Sequence, residues 1–461
     1  MRIFIAGGGH CGEFIARRLV REGNEVCIVE MDGDQVRYLE AHLDAQIIKG
    51  SATRITTWRR AGITDTDMLI AATHEDAVNV LVTLIVDAQA PEALKLLRLR
   101  NPEYAEWGTI LARRGIRVDR VIHPEIDIVA RIFRVLTVPG VTDIRDFAEG
   151  RVKIFSMNVE ASSRLADRAL SELEEQNPPP NIMICMIFRG QDVIIPHGDE
   201  VLQPGDHVYF VTTADELDDS LRFMGIKKQN EVHQAFIVGA GGVGLAMADM
   251  LEKEGVSVKL FEKDPQQCAV ASRMLKHTLV INADGTDQEV LLQANVEGVD
   301  AFLALTMNDD ANIMISLLAR DAGAKKVVAL VNHMNYVSLA QRLGINTTVS
   351  PRIKSVDAIL EFIRKGGVLS VRTLGEEMAE AIELVAPEGS QYVNRPLREI
   401  GFPRGVIVGA IARPDGEVRV PRGDAIIQPG DRVIFFALER CVAELEAGFL
   451  VKSRRLKLIP W

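Results

Sequence analysis

The same strand, glycine loop and helix occur twice in this 461-residue chain. Residues 3–12 read IFIAGGGHCG and residues 236–244 read FIVGAGGVG, so Gly-x-Gly-x-x-Gly begins once at Gly7 and again at Gly239, 232 positions later. A chain of this length exceeds what a single hydrophobic core serves. We therefore predict two homologous halves that arose by internal duplication.

A second repeated turn lies near the end of each half. Gln-Pro-Gly-Asp occurs at 203–206 and at 428–431, and each copy leads into an apolar strand. Pro, Gly, Asn and Asp also punctuate the short apolar runs around these turns, which is typical of a small α+β module. His197 and His207 flank the first of these turns, and we expect both to be exposed loop residues.

Earlier in each half, short apolar runs alternate with helical stretches, which predicts a doubly wound parallel sheet. The predicted fold class is therefore α/β, with two tandem Rossmann-like domains, each followed by a small α+β domain. The predicted domain boundaries are 1–138, 143–226, 231–366 and 370–453, with a solvated basic tail over 454–461.

The composition is that of a soluble globular protein, with 47% apolar and 25% charged residues. The net charge of −11 disfavours nucleic-acid binding, which depends on Lys and Arg at phosphates. The five cysteines are scattered without Cys-x-x-Cys, which argues against structural zinc and disulfides and fits a reducing cytosol. No apolar run approaches the roughly 18 residues of a membrane span. We expect a cytoplasmic protein without a metal site.

Each glycine loop follows an apolar strand and opens a helix, as dinucleotide binding requires. The first glycine permits a tight turn, the second lets backbone N–H groups approach a pyrophosphate, and the third lets the helix pack on the strand. Glu30 and Glu262 end the next strand, where a carboxylate accepts hydrogen bonds from both ribose hydroxyls and repels a 2′-phosphate. The pattern favours NAD over NADP and leaves ATP and ADP open. The competing interpretation is that the loops are only tight strand–helix turns.

A Thr-x-x-Asp-x-x-Asn element follows a later strand in each half, starting at Thr73 and at Thr306. For both threonines, contact with a ligand and a simple helix N-cap fit the pattern equally well. Arg98 ends the next strand of the first half, and a guanidinium there suits a di- or triphosphate. Its counterpart in the second half is Leu330, so we expect the second site to prefer a less anionic ligand or to bind more weakly.

Catalytic motifs are not evident in the sequence, which contains no His-Glu-x-x-His, Walker lysine motif or Gly-x-Ser-x-Gly. A nicotinamide dehydrogenase also needs a substrate domain and an acid–base group beside the hydride path, and neither is visible. We predict a nucleotide-binding regulatory protein that is not an enzyme and has no catalytic residues. The alternatives are an NAD-dependent oxidoreductase and a nucleotide sensor whose partner is not a channel.

Several segments together resemble a known family: RIFIAGGGHCGEFIARRLVREGNEVCIVEMD, AATHEDAVN and LRLRNPEY in the first half, and FIVGAGGVG, LFEKD, NADGTDQEVL and ALTMNDDANIM in the second. They are similar to the TrkA family of Trk-type potassium uptake systems, whose members are tandem KTN/RCK units. The resemblance covers nearly the whole chain. It implies a cytosolic regulatory subunit that binds NAD(H) and the adenine nucleotides ATP and ADP. It also implies a ring, usually a homotetramer, on the inner face of the plasma membrane beneath a potassium-translocating subunit of TrkH or TrkG type.

The same resemblance implies two sets of nucleotide contacts. In the first half they are the loop residues Gly7, Gly8, Gly9, His10, Cys11 and Gly12, with Glu30 at the ribose and Thr73, His74 and Arg98 at the crevice. In the second half they are Gly239, Ala240, Gly241, Gly242, Val243, Gly244, Glu262, Leu305 and Thr306. The chain departs from the family pattern at His10-Cys11, where Gln-Val is usual, and at Glu30, where Asp is usual.

Overall fold

The computed structural model describes residues 1–101, 104, 106–138, 140–190, 192–226, 232–345, 347–363, 368–375 and 378–449. The predicted basic tail lies outside these ranges. None of the helices within them combines the length and the apolar character that a membrane span requires. All five cysteines are described, and each is a free thiol.

The first half begins with a six-stranded parallel sheet covered by helices on both faces. Its strands are β1 (Arg2–Ala6), β2 (Glu25–Glu30), β3 (Gln46–Lys49), β4 (Met68–Ala71), β5 (Leu94–Arg98) and β6 (Arg120–Ile122). Its helices are α1 (His10–Arg21), α2 (Gly33–His42), α3 (Ile55–Ala61), α4 (Asp76–Gln89), α5 (Trp107–Arg113) and α6 (Pro124–Thr137). The strand order β3-β2-β1-β4-β5-β6 is that of a Rossmann sheet. Because both faces are covered, β1 is buried on both sides and reads as a nearly continuous apolar run.

A small antiparallel domain follows. Its strands are β7 (Asp143–Phe147), β8 (Val152–Asn158), β9 (Arg168–Ala169), β10 (Ile182–Arg189), β11 (Asp192–Ile194), β12 (Val201–Leu202) and β13 (His207–Thr213), with helices α7 (Leu170–Glu174) and α8 (Leu217–Phe223). Five of these strands form one sheet in the order β11-β10-β13-β8-β7, and β12 pairs with β9. The first half thus consists of a parallel and an antiparallel unit.

The second half repeats this arrangement. Its parallel sheet contains β14 (Gln234–Val238), β15 (Ser257–Glu262), β16 (Leu279–Asn282), β17 (Ala301–Ala304), β18 (Lys326–Leu330) and β19 (Thr347–Val349) in the order β16-β15-β14-β17-β18-β19. The helices are α9 (Gly242–Lys253), α10 (Pro265–Met274), α11 (Gln288–Gln293), α12 (Asp309–Asp321), α13 (Met334–Arg342) and α14 (Pro351–Ile363). The antiparallel unit contains β20 (Val368–Leu374), β21 (Ala379–Val385), β22 (Val406–Ala412), β23 (Val418–Arg419), β24 (Arg432–Leu438) and α15 (Glu439–Phe449), in the strand order β20-β21-β24-β22-β23. The predicted fold class is confirmed.

The repeated Gln-Pro-Gly-Asp turns have the same structure in both halves. The glycine has a positive φ in each, +96° at Gly205 and +88° at Gly430. The next residue, Asp206 or Asp431, closes the turn by accepting a hydrogen bond of 2.8 Å from the backbone N–H of the turn glutamine. A residue with a side chain would be strained at the glycine position. The aspartate is needed to accept the hydrogen bond from the glutamine N–H, so the turn tolerates few other sequences.

The two halves exchange a helix. Ile128 and Ile132 of α6 share a core with Ile237 of β14, although α6 follows the first sheet in the chain. Reciprocally, Ile359 of α14 shares a core with Ile5 of β1. Each parallel sheet is therefore completed by the last helix of the other parallel unit. We call α6 and α14 the crossover helices.

Lys326 of β18 holds the end of the first crossover helix. Its Nζ donates hydrogen bonds to the carbonyls of Val135, Leu136 and Val138 at 2.5, 3.3 and 2.8 Å. The last carbonyls of a helix have no partner within the helix, so a cation at that position both pairs them and complements the helix dipole. A side chain of the second half thereby binds the backbone of the first crossover helix, α6.

The two antiparallel sheets pack face to face. Phe188 and Tyr209 of the first share a core with Ile434 and Phe436 of the second. The expectation that His207 is an exposed loop residue is wrong, because it begins β13, is only partly exposed and contacts Asn158 Oδ1 through Nδ1 at 2.5 Å. The strand begins directly after Asp206, the last residue of the turn.

Candidate nucleotide-binding sites

Both glycine loops have the conformation that their sequence predicts. Gly7 has φ +94° and Gly239 has φ +105°, values that favour glycine. A Cβ on Gly12 would lie 1.8 Å from the carbonyl oxygen of Gly7, and one on Gly244 would lie 1.9 Å from that of Gly239. The third glycine is therefore required for the helix to approach the strand, as expected.

The second glycine of each loop leaves the start of a helix open. A Cβ on Gly9 or on Gly241 would meet no protein atom within 4 Å. These glycines are the N-caps of α1 and α9, and neither helix receives a side-chain cap. By contrast, α2 is capped by the carboxylate of Asp32. The first N–H groups of α1 and α9 consequently have no side-chain cap as acceptor. They can therefore donate hydrogen bonds to a phosphate.

The two predicted ribose carboxylates lie against the glycine loops. Glu30 Oε2 accepts a hydrogen bond of 2.6 Å from the N–H of Gly8, and Oε1 accepts from Met31 and Asp32 at 2.7 and 2.8 Å. Glu262 Oε2 accepts from Ala240 at 2.8 Å. A carboxylate offers about four acceptor positions, so capacity for a ribose hydroxyl remains at both.

The Thr-x-x-Asp-x-x-Asn element is a clamp between neighbouring strand ends. Asn79 Oδ1 accepts from the backbone N–H of Thr73 at 2.8 Å, and Asn79 Nδ2 donates to the carbonyls of Thr73 and Arg98 at 3.2 and 3.0 Å. Asn312 makes the same bonds with Thr306 and Leu330, all between 2.8 and 3.0 Å. The asparagine thus ties the end of β4 to that of β5, and the end of β17 to that of β18.

The simple N-cap interpretation of the two threonines is wrong. The N-cap residues are Glu75 for α4 and Asn308 for α12. The hydroxyl of Thr73 lies 2.7 Å from Asn79 Oδ1, and that of Thr306 lies 2.6 Å from Asn312 Oδ1. Contact between these threonines and a ligand remains a prediction.

Arg98 lies at the carboxyl end of β5 and is almost fully buried. Its Nη2 is 3.5 Å from Glu125 Oε1, while its Nε is buried without a hydrogen-bond partner. Glu125 also receives Arg100 Nε at 3.1 Å, so two guanidinium groups share one carboxylate. Since Glu125 belongs to α6, the predicted phosphate-binding arginine is linked directly to a crossover helix. No sequence motif marked Glu125.

The other predicted contact residues differ in how far their side chains are exposed. His74 is exposed, with Nε2 3.2 Å from Glu75 Oε1, whereas Cys11 is half-buried. The side chains of Ala240, Val243 and Leu305 are buried in the core of the second unit, so only their backbone atoms are available to a ligand.

The two parallel units meet at the first glycine loop. The ring of His10 lies edge-on to that of His333, with 4.9 Å between centroids. His333 follows β18, and its Nδ1 lies 2.7 Å from Asp309 Oδ2, the aspartate of the second Thr-x-x-Asp-x-x-Asn element. The first loop therefore contacts the strand-end region of the second half. His333 was not among the predicted site residues, because its approach depends on how the two halves pack.

These features define a class of protein: a tandem pair of Rossmann units with dinucleotide-type loops, each joined to a small antiparallel domain. The TrkA-N domain model matches residues 3–124 and 235–351, and the TrkA-C domain model matches residues 154–225 and 381–449. The chain belongs to the TrkA family.

Similar proteins match over their full length. The Trk system potassium uptake protein TrkA of Halomonas elongata is 31% identical, with 98% of this chain and 99% of the relative covered. That of Vibrio alginolyticus is 33% identical, with 97% and 98% covered. Homolog 2 of Methanosarcina mazei is 32% identical, with 97% and 100% covered. The predicted family resemblance is confirmed.

Solved structures show the same fold. The crystal structure of the GsuK RCK domain has a TM-score of 0.61 at 18% identity and covers 97% of this chain and 94% of its own. The GsuK channel bound to NAD has a TM-score of 0.60 at 18% identity, with 97% and 78% covered. At this level of identity the comparison concerns the fold alone.

Proposed function

We propose that this chain is a cytoplasmic nucleotide-binding regulatory subunit that controls potassium movement through a membrane subunit of TrkH or TrkG type. Family membership supports the connection with potassium uptake. The observation that carries the nucleotide part is the pair of uncapped helix N-termini, each beside a carboxylate that is already hydrogen-bonded to the glycine loop. We further propose a homotetrameric ring on the inner face of the plasma membrane.

The proposed ligands are NAD(H) and the adenine nucleotides ATP and ADP. The N–H groups at the start of α1 and α9 would hold phosphates, and Glu30 and Glu262 would accept ribose hydroxyls. A protein of the same fold, the GsuK channel, was solved with NAD bound. Glu30 and Glu262 disfavour a 2′-phosphate, so we propose NAD(H) rather than NADP(H).

The two sites differ in charge near the phosphates. Arg98 is the residue of the first site that would contact a di- or triphosphate, and Leu330 occupies the matching position in the second. We therefore assign the more highly charged ligand, ATP or ADP, to the first site. The second site would take NAD(H) or bind more weakly.

Binding at the first site would act on the crossover helix through the Arg98–Glu125 ion pair. A ligand phosphate attracts the Arg98 guanidinium and competes with Glu125 of α6. Because α6 packs on the second parallel unit, a change at this pair alters the contact between the halves. A ligand shifts such an equilibrium only by its difference in affinity for the two states, about 5.5 kcal/mol for a change from 1:99 to 99:1.

Calorimetry on nucleotide-stripped protein tests the proposal. NADH and ATP should each bind, and neither should be consumed during prolonged incubation. Absence of binding by both ligands would reject the nucleotide-binding role. Oxidation of NADH that depends on an added small substrate would instead favour an oxidoreductase.

Co-purification tests the membrane partner. Co-expressed with a TrkH-type or TrkG-type subunit, the chain should be retained on the tagged membrane protein, and nucleotide should change potassium flux in reconstituted vesicles. A chain that binds nucleotide but neither associates with such a subunit nor alters flux would favour a sensor with a non-channel partner.

A further inference from the structure

A small cavity lies where the first crossover helix meets the first strands of both antiparallel domains. Its volume is about 130 Å³. Six residues line it: Arg131, Arg134, Ile144, Arg145, Asp146 and Arg372. We call this space the arginine cavity. Four guanidinium groups around so small a volume require either internal carboxylates or a bound anion, because like charges at short range repel.

Two of the arginines are fully paired inside the protein. Arg131 Nε and Arg145 Nε donate to opposite oxygens of Asp143 at 2.8 and 2.6 Å. All three side chains are buried. Although burial alone would raise the pKa of Asp143, the two guanidinium groups hold it well below its usual range, so this carboxylate stays charged. Arg131 and Arg145 are thereby fixed in place.

The other two arginines are unlike each other. Arg372 contacts Glu361, a carboxylate of the second crossover helix. The nearest carboxylate oxygen to Arg134 is Asp146 Oδ2, 3.8 Å from Nη1, and the Nε of Arg134 is buried without a hydrogen-bond partner. Asp146 in turn accepts a hydrogen bond of 2.5 Å from Lys153 Nζ. Among the residues that the structure describes, Arg134 therefore pairs only with Asp146, which it shares with Lys153.

The internal duplication shows that Arg134 occupies a position where the second half has a carboxylate. Pro124 begins α6 and Pro351 begins α14, 227 residues apart. At this offset Arg145 corresponds to Arg372, and Arg134 corresponds to Glu361. The second half thus supplies a carboxylate, paired with Arg372, at the position where the first half supplies Arg134, so a position that is negative in one half is positive in the other.

The charges around the cavity leave an excess of positive charge. The cations are the four lining arginines and Lys153, and the carboxylates that pair with them are Asp143, Asp146 and Glu361. Asp357, which also acts on Arg145, brings the carboxylates to four. Among the described side chains of this cluster, one positive charge is left over.

We propose that the arginine cavity binds a phosphate-sized oxyanion, with Arg134 as its principal contact. Guanidinium groups suit tetrahedral oxyanions because they present several donors in one plane. The volume is below the roughly 300 Å³ at which drug-sized ligand pockets begin. This size suits inorganic phosphate or the terminal phosphate group of a larger ligand.

Such an anion would hold three elements together. Arg134 belongs to α6, Arg145 to β7 and Arg372 to β20, so the ligand would join a crossover helix to the first strand of each antiparallel domain. This site is separate from both glycine loops. The proposal does not depend on the function proposed above, and a chain that bound no dinucleotide would still carry the cavity.

Phosphate titration of the full chain in chloride buffer at constant ionic strength tests the proposal. Calorimetry should detect binding of inorganic phosphate, and the melting temperature should rise by a few degrees at about ten times Kd. Arg134→Gln should weaken the affinity at least about tenfold, while Arg134→Lys should lose less because it keeps the charge. Arg134 is partly exposed, so its replacement leaves the fold intact.

Arg222→Gln is the matched control, since Arg222 lies on α8 in the same half of the chain and, among the described residues, pairs with the exposed Asp219. This variant should bind phosphate as the wild type does. ATP in place of phosphate distinguishes the source of the anion: Arg134-dependent binding of ATP alone would assign the cavity to a nucleotide's terminal phosphate. Binding of neither ligand, or binding that Arg134→Gln leaves unchanged, would overturn the proposal.

Discussion

Glycines within one loop have opposite structural requirements. Gly12 is in contact with the backbone of Gly7, whereas Gly9 has φ −63° and open space around its missing Cβ. The sequence motif does not distinguish the two glycines. Their different roles are visible only in the structure of the loop.

Alanine at these two positions should separate folding from binding. Gly12→Ala should lower the free energy of unfolding by about 1–3 kcal/mol, because its Cβ overlaps a backbone oxygen that cannot move aside. Gly9→Ala should change stability by less than about 0.5 kcal/mol, yet weaken ATP binding at the first site about tenfold by occupying the phosphate position. Urea unfolding and calorimetry on both variants provide the measurements. Equal effects of the two substitutions on stability would contradict this assignment.

Arg98 should distinguish ligands by phosphate charge. Arg98→Ala should weaken ATP binding by about 1.5–3 kcal/mol and NAD binding by less, since NAD carries no terminal phosphate. Titration calorimetry with both ligands measures the difference. Arg117→Ala is the control, because Arg117 pairs with Asp119 just before β6, near the amino-terminal end of β5, whereas Arg98 lies at the carboxyl end of β5. Equal losses for ATP and NAD would remove the argument for a phosphate contact.

At the scale of elements, the strands and helices follow from local sequence, but their partners do not. The apolar run of β1 and the alternation around it predicted a parallel sheet, because these patterns reflect burial within one unit. The apolar face of α6 shows that it packs against something. That its partner is β14 rather than β1 depends on the arrangement of both halves.

Lys326 should stabilise α6 from outside. Lys326→Met removes three hydrogen bonds to helix carbonyls and should cost about 1–3 kcal/mol of unfolding free energy. Amide exchange in residues 124–137 should accelerate as the helix end loosens. Lys325→Met should cost less than about 1 kcal/mol, since that lysine is exposed in its ion pair with Asp300. Unchanged amide exchange in Lys326→Met would show that the helix end is held by packing alone.

His207 should make the first antiparallel domain sensitive to acid. Burial lowers the pKa of His207 from 6.5 to about 4, against a smaller opposing effect of Asp143. Below the unfolded pKa the unfolded state takes up a proton that the folded state does not, so stability is lost as the pH falls from about 6.5 to about 4. The loss from this group is at most about 3 kcal/mol.

Urea unfolding at pH 7 and pH 5 measures the effect of His207. His207→Gln should reduce the difference between the two stabilities, whereas His197→Gln, at an exposed position of the same domain, should leave it unchanged. If His207→Gln keeps the full pH dependence, other groups are responsible.

For the whole molecule, a buried ion pair joins the first glycine-loop helix to the last domain. Arg18 of α1 contacts Glu380 of β21, and both side chains are buried. Arg18 Nη1 also lies 3.2 Å from Glu439 Oε1 of α15. The matching position on α9 is Met250, which cannot form this ion pair. The two halves are related in sequence but not in how their loops are coupled to the antiparallel domains.

Removing one partner of this pair should be costly. Arg18→Met should lower the free energy of unfolding by about 3–5 kcal/mol because it leaves Glu380 charged and buried. The double variant Arg18→Met/Glu380→Leu should lose less, since the fully buried carboxylate is removed and the remaining partner Glu439 is partly exposed. Arg17→Met, which breaks a partly exposed pair with Glu13, is the control and should cost under about 1 kcal/mol. A double variant less stable than the single one would contradict a role for the buried charge of Glu380. Urea unfolding followed by circular dichroism measures all three.

The sequence by itself determined the duplication, the alternation of strands and helices, the glycine-loop conformation and the acid beside each loop. These features depend on contacts within about 30 residues, where periodicity and positive-φ glycines leave few alternatives. Only the tertiary structure decided the exchange of the crossover helices, the link from Arg98 to Glu125, the approach of His333 to His10 and the convergence of four arginines on one cavity. Those contacts join residues from different elements, and in most cases from different halves, and no local pattern encodes which distant side chain completes them.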